Sequence, residues 1–79
     1  MHHNAHTGIK HLRNLGYELD IETITGGYDL VKVANTDTQV IFSDIGARVI
    51  SERNNFNTLV AYGDQDFLED LAEAVLANN

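Results

Sequence analysis

The stretch YELDIETITGGYDLVKV, residues 17–33, alternates apolar and acidic residues, breaks at two glycines and then resumes an extended pattern. Tyr17, Leu19 and Ile21 occupy odd positions and Glu18, Asp20 and Glu22 even ones, the period of two that marks a half-buried strand. Gly26 and Gly27 predict a hairpin, and its register follows from parity, because residues opposite each other across two strands share a face of the sheet. A two-residue loop would oppose Ile21 to Lys32 and fails that requirement. A three-residue loop, Thr25-Gly26-Gly27, pairs Ile21 with Val31, Leu19 with Val33 and Asp20 with Lys32, and it places glycine where a left-handed residue is needed.

Working outward, residues 35–38 (Asn-Thr-Asp-Thr) predict a four-residue turn that sets Val33 opposite Val40 and Val31 opposite Phe42. Residues 44–47 form a second turn around Gly46, ahead of a strand at 48–53. Its facing is left open by the adjacent Val49 and Ile50. Residues 54–57 read as a loop and 58–62 as a short fifth strand or extended arm. Before the sheet, Asn4 caps a helix running to Leu15, with Ile9, Leu12 and Leu15 on one stripe and Gly16 as its stop. After Gly63, Asp64 or Asp66 caps a second helix whose buried stripe is Phe67, Leu68, Leu71 and Val75. Asp66 and Glu69 have the spacing of a capping box. The fold class is therefore α+β, a two-layer sandwich in which four to five antiparallel strands in meander order are flanked by an N-terminal and a C-terminal helix. Residues 1–79 are expected to form one domain, with residues 1–4 and 78–79 mobile.

The chain has 79 residues, 43% of them apolar and 22% charged, which places it among folded rather than disordered sequences. It contains no cysteine, which removes disulfides, thiolate metal sites and thiol catalysis together. No segment approaches the roughly 20 apolar residues of a membrane helix, and the first residues do not resemble a signal peptide, so a cytoplasmic protein with no membrane association is expected. Twelve acids against five bases give a net charge of −7, and no acid precedes Glu18. Such a surface repels nucleic acid, so direct DNA or RNA binding is not expected.

If Leu19, Ile21, Val31, Val33, Val40 and Phe42 face the helices, the other face carries Ile24, Tyr28, Leu30 and Ile41, with Ile50 as a further candidate, beside the acidic row Glu18, Asp20 and Glu22. An apolar patch with a charged rim is the usual anatomy of a protein interface. The leading expectation is a non-enzymatic interaction module that uses this face to bind itself, as a homodimer, or another protein. Two ordinary arrangements compete with it. Helices on opposite faces would make Ile24, Leu30, Ile41 and Ile50 plain second-side core, and the acids could simply solvate an edge strand. A different reading takes the acids as a ladder spaced roughly 6.6 to 6.8 Å apart, which could imitate nucleic-acid phosphates. That would suit a phage-type acidic inhibitor of a nucleic-acid-binding enzyme, with Asp64, Asp66, Glu69, Asp70 and Glu73 as a second acidic surface.

Met1, His2 and His3 offer a third possibility. A free amino terminus, two amide nitrogens and a third-position imidazole can bind Cu(II) or Ni(II) in a square plane, with His6 as an added ligand. Enzymatic chemistry finds little support. Ser43 and Ser51 lie in no nucleophile-elbow pattern, the glycine pair lacks the rest of a phosphate loop, and nothing in the spacing selects an acid pair from Asp44, Glu52 and Asp64. No catalytic residue and no cofactor are expected.

Overall fold

The computed structural model describes residues 3–24 and 26–78. They form α1 (His3–Asn14), β1 (Leu19–Ile24), β2 (Tyr28–Val33), β3 (Gln39–Phe42), β4 (Gly46–Ser51), β5 (Phe56–Ala61) and α2 (Phe67–Ala77). The strands make one antiparallel sheet in the order β1-β2-β3-β4-β5. This is the expected helix, meander and helix.

The β1–β2 hairpin closes with Ile21 opposite Val31, Leu19 opposite Val33 and Ile24 opposite Tyr28. That is the register of a three-residue loop. Gly26 and Gly27 take φ of 96° and 83°, a region a Cβ would strain; Thr25 lies outside the described residues.

Register then propagates the same parity across every strand. Val31 faces Val40, Val40 faces Val49, and Ala47 faces Val60, so these residues and Phe42 lie on one side of the sheet. The same residues pack with Ala5, Ile9 and Leu12 of α1 and Phe67, Leu71 and Val75 of α2 in a single cluster. Both helices therefore cover one face, and an arrangement with a helix on each side does not occur. Leu12, Phe42 and Leu71 are essentially inaccessible. Burying a side chain of this size stabilises the fold by about 1.5–3 kcal/mol. Gly8 permits the close approach of α1, since a Cβ there would lie 2.9 Å from the Phe42 ring.

Several boundaries differ from the expectations. The β2–β3 register is shifted by two, with Val31 rather than Val33 opposite Val40, and Asp29 opposite Phe42. The cause is local. The Thr36 hydroxyl and amide both donate to the Val33 carbonyl, and the Thr38 amide donates to the Thr36 hydroxyl, so the four-residue turn sits one residue earlier, over residues 34–37, around a left-handed Asn35. A shift of two preserves facing, which is why the core assignment survives it. β4 begins two residues early at Gly46, with Val49 inward and Ile50 outward. β5 starts at Phe56 because a left-handed Asn55 shortens the preceding loop. In α1, Asn4 lies inside the helix rather than ahead of it, and Leu15 falls beyond the last turn with 53% of its surface exposed. The Asp66–Glu69 capping box does not form. Asp66 sits at the N-cap with φ −105° and ψ 30°, away from the extended capping geometry, and makes no side-chain cap bond. Instead its own amide donates to the Asp64 carboxylate at 3.1 Å.

Polar groups close the end of the sandwich where α2 stops. The Asp37 carboxylate accepts from the Ser51 hydroxyl at 2.8 Å and the Arg53 amide at 2.7 Å, tying the β2–β3 turn to the β4–β5 turn. Asn78 accepts from the Asn54 amide group through its side-chain oxygen and from the buried Thr38 hydroxyl through its carbonyl, and it donates to the Ala74 carbonyl. The Arg53 amide, followed by the Ser51 hydroxyl, holds Asp37 below its ordinary pKa of 3.8. A carboxylate with a depressed pKa contributes stability above its unfolded value and loses it as pH falls through the folded value. Asp37→Asn should therefore lower the thermal midpoint at neutral pH. The gap between variant and parent should close as pH drops below 3.8, as followed by thermal melts across pH.

Candidate functional site

The face away from the helices is built by the same parity that builds the core. Registers place Glu22, Leu30, Ile41, Arg48 and Leu59 in one row running across all five strands. The neighbouring row holds Asp20, Lys32, Gln39, Ile50 and Asn57, while Ile24 and Tyr28 pair at the glycine-hairpin end. Adjacent strands stand about 4.7–4.9 Å apart, so Leu30 and Ile41 are direct neighbours on this surface. Tyr28 is 42% exposed and Leu59 39% exposed, and Ile24 is likewise exposed. Leu30, Ile41 and Ile50 are partly buried by one another and by the flanking side chains. None of these outward residues joins the helix-covered core.

The sequence-derived residues thus divide as follows. Ile24, Tyr28, Leu30 and Ile41 lie together on the uncovered face. Asp20 and Glu22 lie on its β1 border. Glu18 stands just ahead of β1, in step with them, and its carbonyl accepts from the Ala34 amide at 2.9 Å. Lys32 enters the acidic row and approaches Glu22 at 3.7 Å, with both side chains about half exposed. An ion pair this open contributes only about 0.2–1 kcal/mol, but it removes one net charge from the row. On β4, Arg48 donates to the Asn57 side-chain oxygen at 2.7 Å.

Leu59, Arg48 and Asn57 are not legible as members of this surface, because the sequence leaves the facing of β4 open, reads residues 58–62 as either a strand or an arm, and puts Asn57 in a loop. The Asn54-Asn55 dipeptide was the available signal, since asparagine tolerates the left-handed turn conformation that sets the β4–β5 register.

Two other surfaces carry polar chemistry. A cleft of about 250 Å³ between Asn35, Thr36, Asp37, Arg53, Asn54 and Asn78 is lined by the groups already bonded to one another at the end of α2. Its geometry is that of a brace between turns. Around the start of α2, Asp64, Asp66, Glu69, Asp70 and Glu73 gather at the surface. Among the described residues, no group of three or more histidines or acids is placed to hold a metal ion. His3 and His6 are exposed on the first turn of α1, and Met1 and His2 lie outside the described residues. Among the described residues, no helix is long and apolar enough to cross a membrane.

No protein-family model, curated protein or solved structure matches this chain. Function must be argued from the surfaces themselves.

The α2 acids strain one another. A hydrogen bond shared with Asp64, then burial, then the charges of Asp64, Asp66 and Glu73 raise the pKa of Asp70 above its ordinary 3.8. A raised carboxyl pKa means that the stability present in acid is lost as pH rises through the folded value, leaving repulsion at neutral pH. Asp70→Asn should raise the thermal midpoint at pH 7 and change it little below pH 3.8. The gain should shrink in high salt, which screens surface charge.

Proposed function

We propose that this protein is a non-enzymatic interaction module whose uncovered sheet face docks another protein chain, either a second copy or a different partner. The observation that carries this reading is the apolar cluster of Tyr28, Leu30, Ile41 and Ile50, with Leu59 beyond Arg48, on the side of the sheet that neither helix covers. Soluble monomers rarely expose a contiguous apolar patch beyond a few hundred Å² without a use for it, and aromatic and aliphatic residues at a patch centre dominate binding energy. Tyr28, Leu30 and Ile41 act as anchors. Asp20, Glu22 and Lys32 on the β1–β2 border set orientation and encounter rate, as rim charges do, and Arg48 adds a positive charge between Ile41 and Leu59. A cytoplasmic setting suits a cysteine-free chain.

An acidic decoy for a nucleic-acid-binding enzyme is a second reading. It is favoured by the placement of Asp20 and Glu22 on one exposed strand face with Glu18 in step, and weakened by Lys32 among them. Its signature would be binding that falls steeply with salt and is lost when Glu18, Asp20 and Glu22 become glutamine. Copper or nickel binding by Met1, His2 and His3 remains a separate proposal on the sequence alone, read by visible absorption during titration.

The face reading is tested by Leu30→Asp. It should leave the melting curve close to that of the parent while abolishing capture of the partner chain. The matched variant Val31→Asp, at a fully buried neighbour, should unfold the protein. Unfolding of Leu30→Asp to the same degree would place Leu30 in the core and remove the proposal.

A further inference from the structure

The two edges of the sheet are not alike. β1 is one edge and β5 the other. Across β1–β2 the Ala34 amide donates to the Glu18 carbonyl, so residues 18, 20, 22 and 24 bond inward and the backbone groups of Leu19, Ile21 and Thr23 point away from the sheet. Those outward groups are interleaved with Glu18, Asp20 and Glu22. Charged side chains along an edge are a standard means of keeping another strand from adding to it.

β5 has no such protection. From Asn54 to Gly63 there is no charged residue and no proline. The Tyr62 amide donates to the Ile45 carbonyl at 3.1 Å, extending the β4–β5 ladder by one pair. Antiparallel ladders alternate, so Thr58 and Val60 bond to β4 while Asn57, Leu59 and Ala61 aim their N–H and C=O groups outward. The side chains of Asn57, Thr58, Leu59 and Ala61 are all exposed, and the element order leaves no strand on that side.

We infer that β5 pairs antiparallel with β5 of a second copy, joining two five-stranded sheets into one across a two-fold axis. Three observations select this occupant. The outward groups of Asn57, Leu59 and Ala61 are complementary to an extended strand, which is the chemistry of strand addition. A chain of net charge −7 repels its own copy, and β5 is the uncharged edge, lying across the sheet from the acids of β1. Of the possible edge pairings, β1 on β1 opposes acids to acids, and β1 on β5 is head-to-tail and propagates without closing. β5 on β5, like β1 on β1, is isologous and ends at a dimer, and of these two it alone opposes no acids.

Facing narrows the register further. Helices of both copies lie on one side of the joined sheet only if opposed residues share parity, so the axis passes through a residue opposed to its own copy, and Thr58 or Leu59 at the centre of β5 pairs the most residues. Antiparallel pairing also brings the Arg53 end of one strand beside the Asp64 end of the other, with Glu52 on the same turn as Arg53. The proposal is independent of what docks on the uncovered face.

Hydrogen exchange by NMR on the unaltered protein tests it without mutation. As concentration rises, the amides of Asn57, Leu59 and Ala61 should become protected, and the solution mass should rise from 8.8 kDa toward twice that value. Thr58 and Val60, bonded to β4, should be protected at every concentration. Leu59→Pro removes an outward N–H and should abolish both the mass increase and the protection at positions 57 and 61, since proline is tolerated at edge positions whose N–H faces solvent. Leu59→Ala keeps the N–H and should retain them. Leu30→Asp should leave the β5 protection intact, separating this edge from the face. Unprotected amides at 57, 59 and 61 with an unchanging monomer mass would overturn the inference. So would a folded Leu59→Pro that dimerises as the parent does.

Discussion

Residues that oppose each other across two strands must lie on the same side of the sheet, and the loop at residues 25–27 decides which side for everything that follows. With three residues in that loop, Ile21 and Val31 turn together toward the helices, and Val40, Val49 and the remaining inward residues follow strand by strand. One residue fewer would send Lys32 into the core opposite Ile21. The glycines make the right length possible by accepting a backbone conformation that side chains resist. Core and uncovered face are two consequences of one constraint.

The same arithmetic explains which parts could be read from the amino acids. Strand alternation between Tyr17 and Val33 is strong because apolar and charged residues differ so sharply there. The facing of β3 is unchanged because moving the turn by one residue, from 35–38 to 34–37, shifts the pairing by two. Beyond Phe42 the pattern fails. Val49 and Ile50 are equally apolar, so side-chain chemistry does not say which one faces the helices; backbone pairing does. Leu59 was lost for the same reason. The acidic row was visible at once, but the Glu22–Lys32 pair within it needed the diagonal geometry of the hairpin. At the helices, the apolar stripes identified Ile9, Leu12, Phe67, Leu71 and Val75 as core. The cap at Asp66 was set by backbone angles that the spacing of Asp66 and Glu69 does not encode.

Charge is distributed so that the uncovered face is neither wholly acidic nor neutral. Asp20 and Glu22 border it on β1, Lys32 offsets one of them, and Arg48 lies across from them. The stronger accumulation is on α2, where Asp64, Asp66, Asp70 and Glu73 crowd one end. Acids at a helix N-terminus gain from the helix dipole, while Asp70 is raised first by its hydrogen bond with Asp64, then by burial and then by the neighbouring charges.

The link from Thr38 to Asn78 spans 40 residues, whereas strand pairings join only strands consecutive in the chain. Neighbouring pairings close short loops and cost little chain entropy, so the sheet can zip hairpin by hairpin without awaiting distant segments. Docking of the last helix is different. Asn78 meets groups from two separate turns, Thr38 and Asn54, and both turns must be in place before it can bond to them. Asn78, just past the end of α2, therefore fastens the last helix to both turns at once, through contacts of far longer sequence separation than any hairpin pairing.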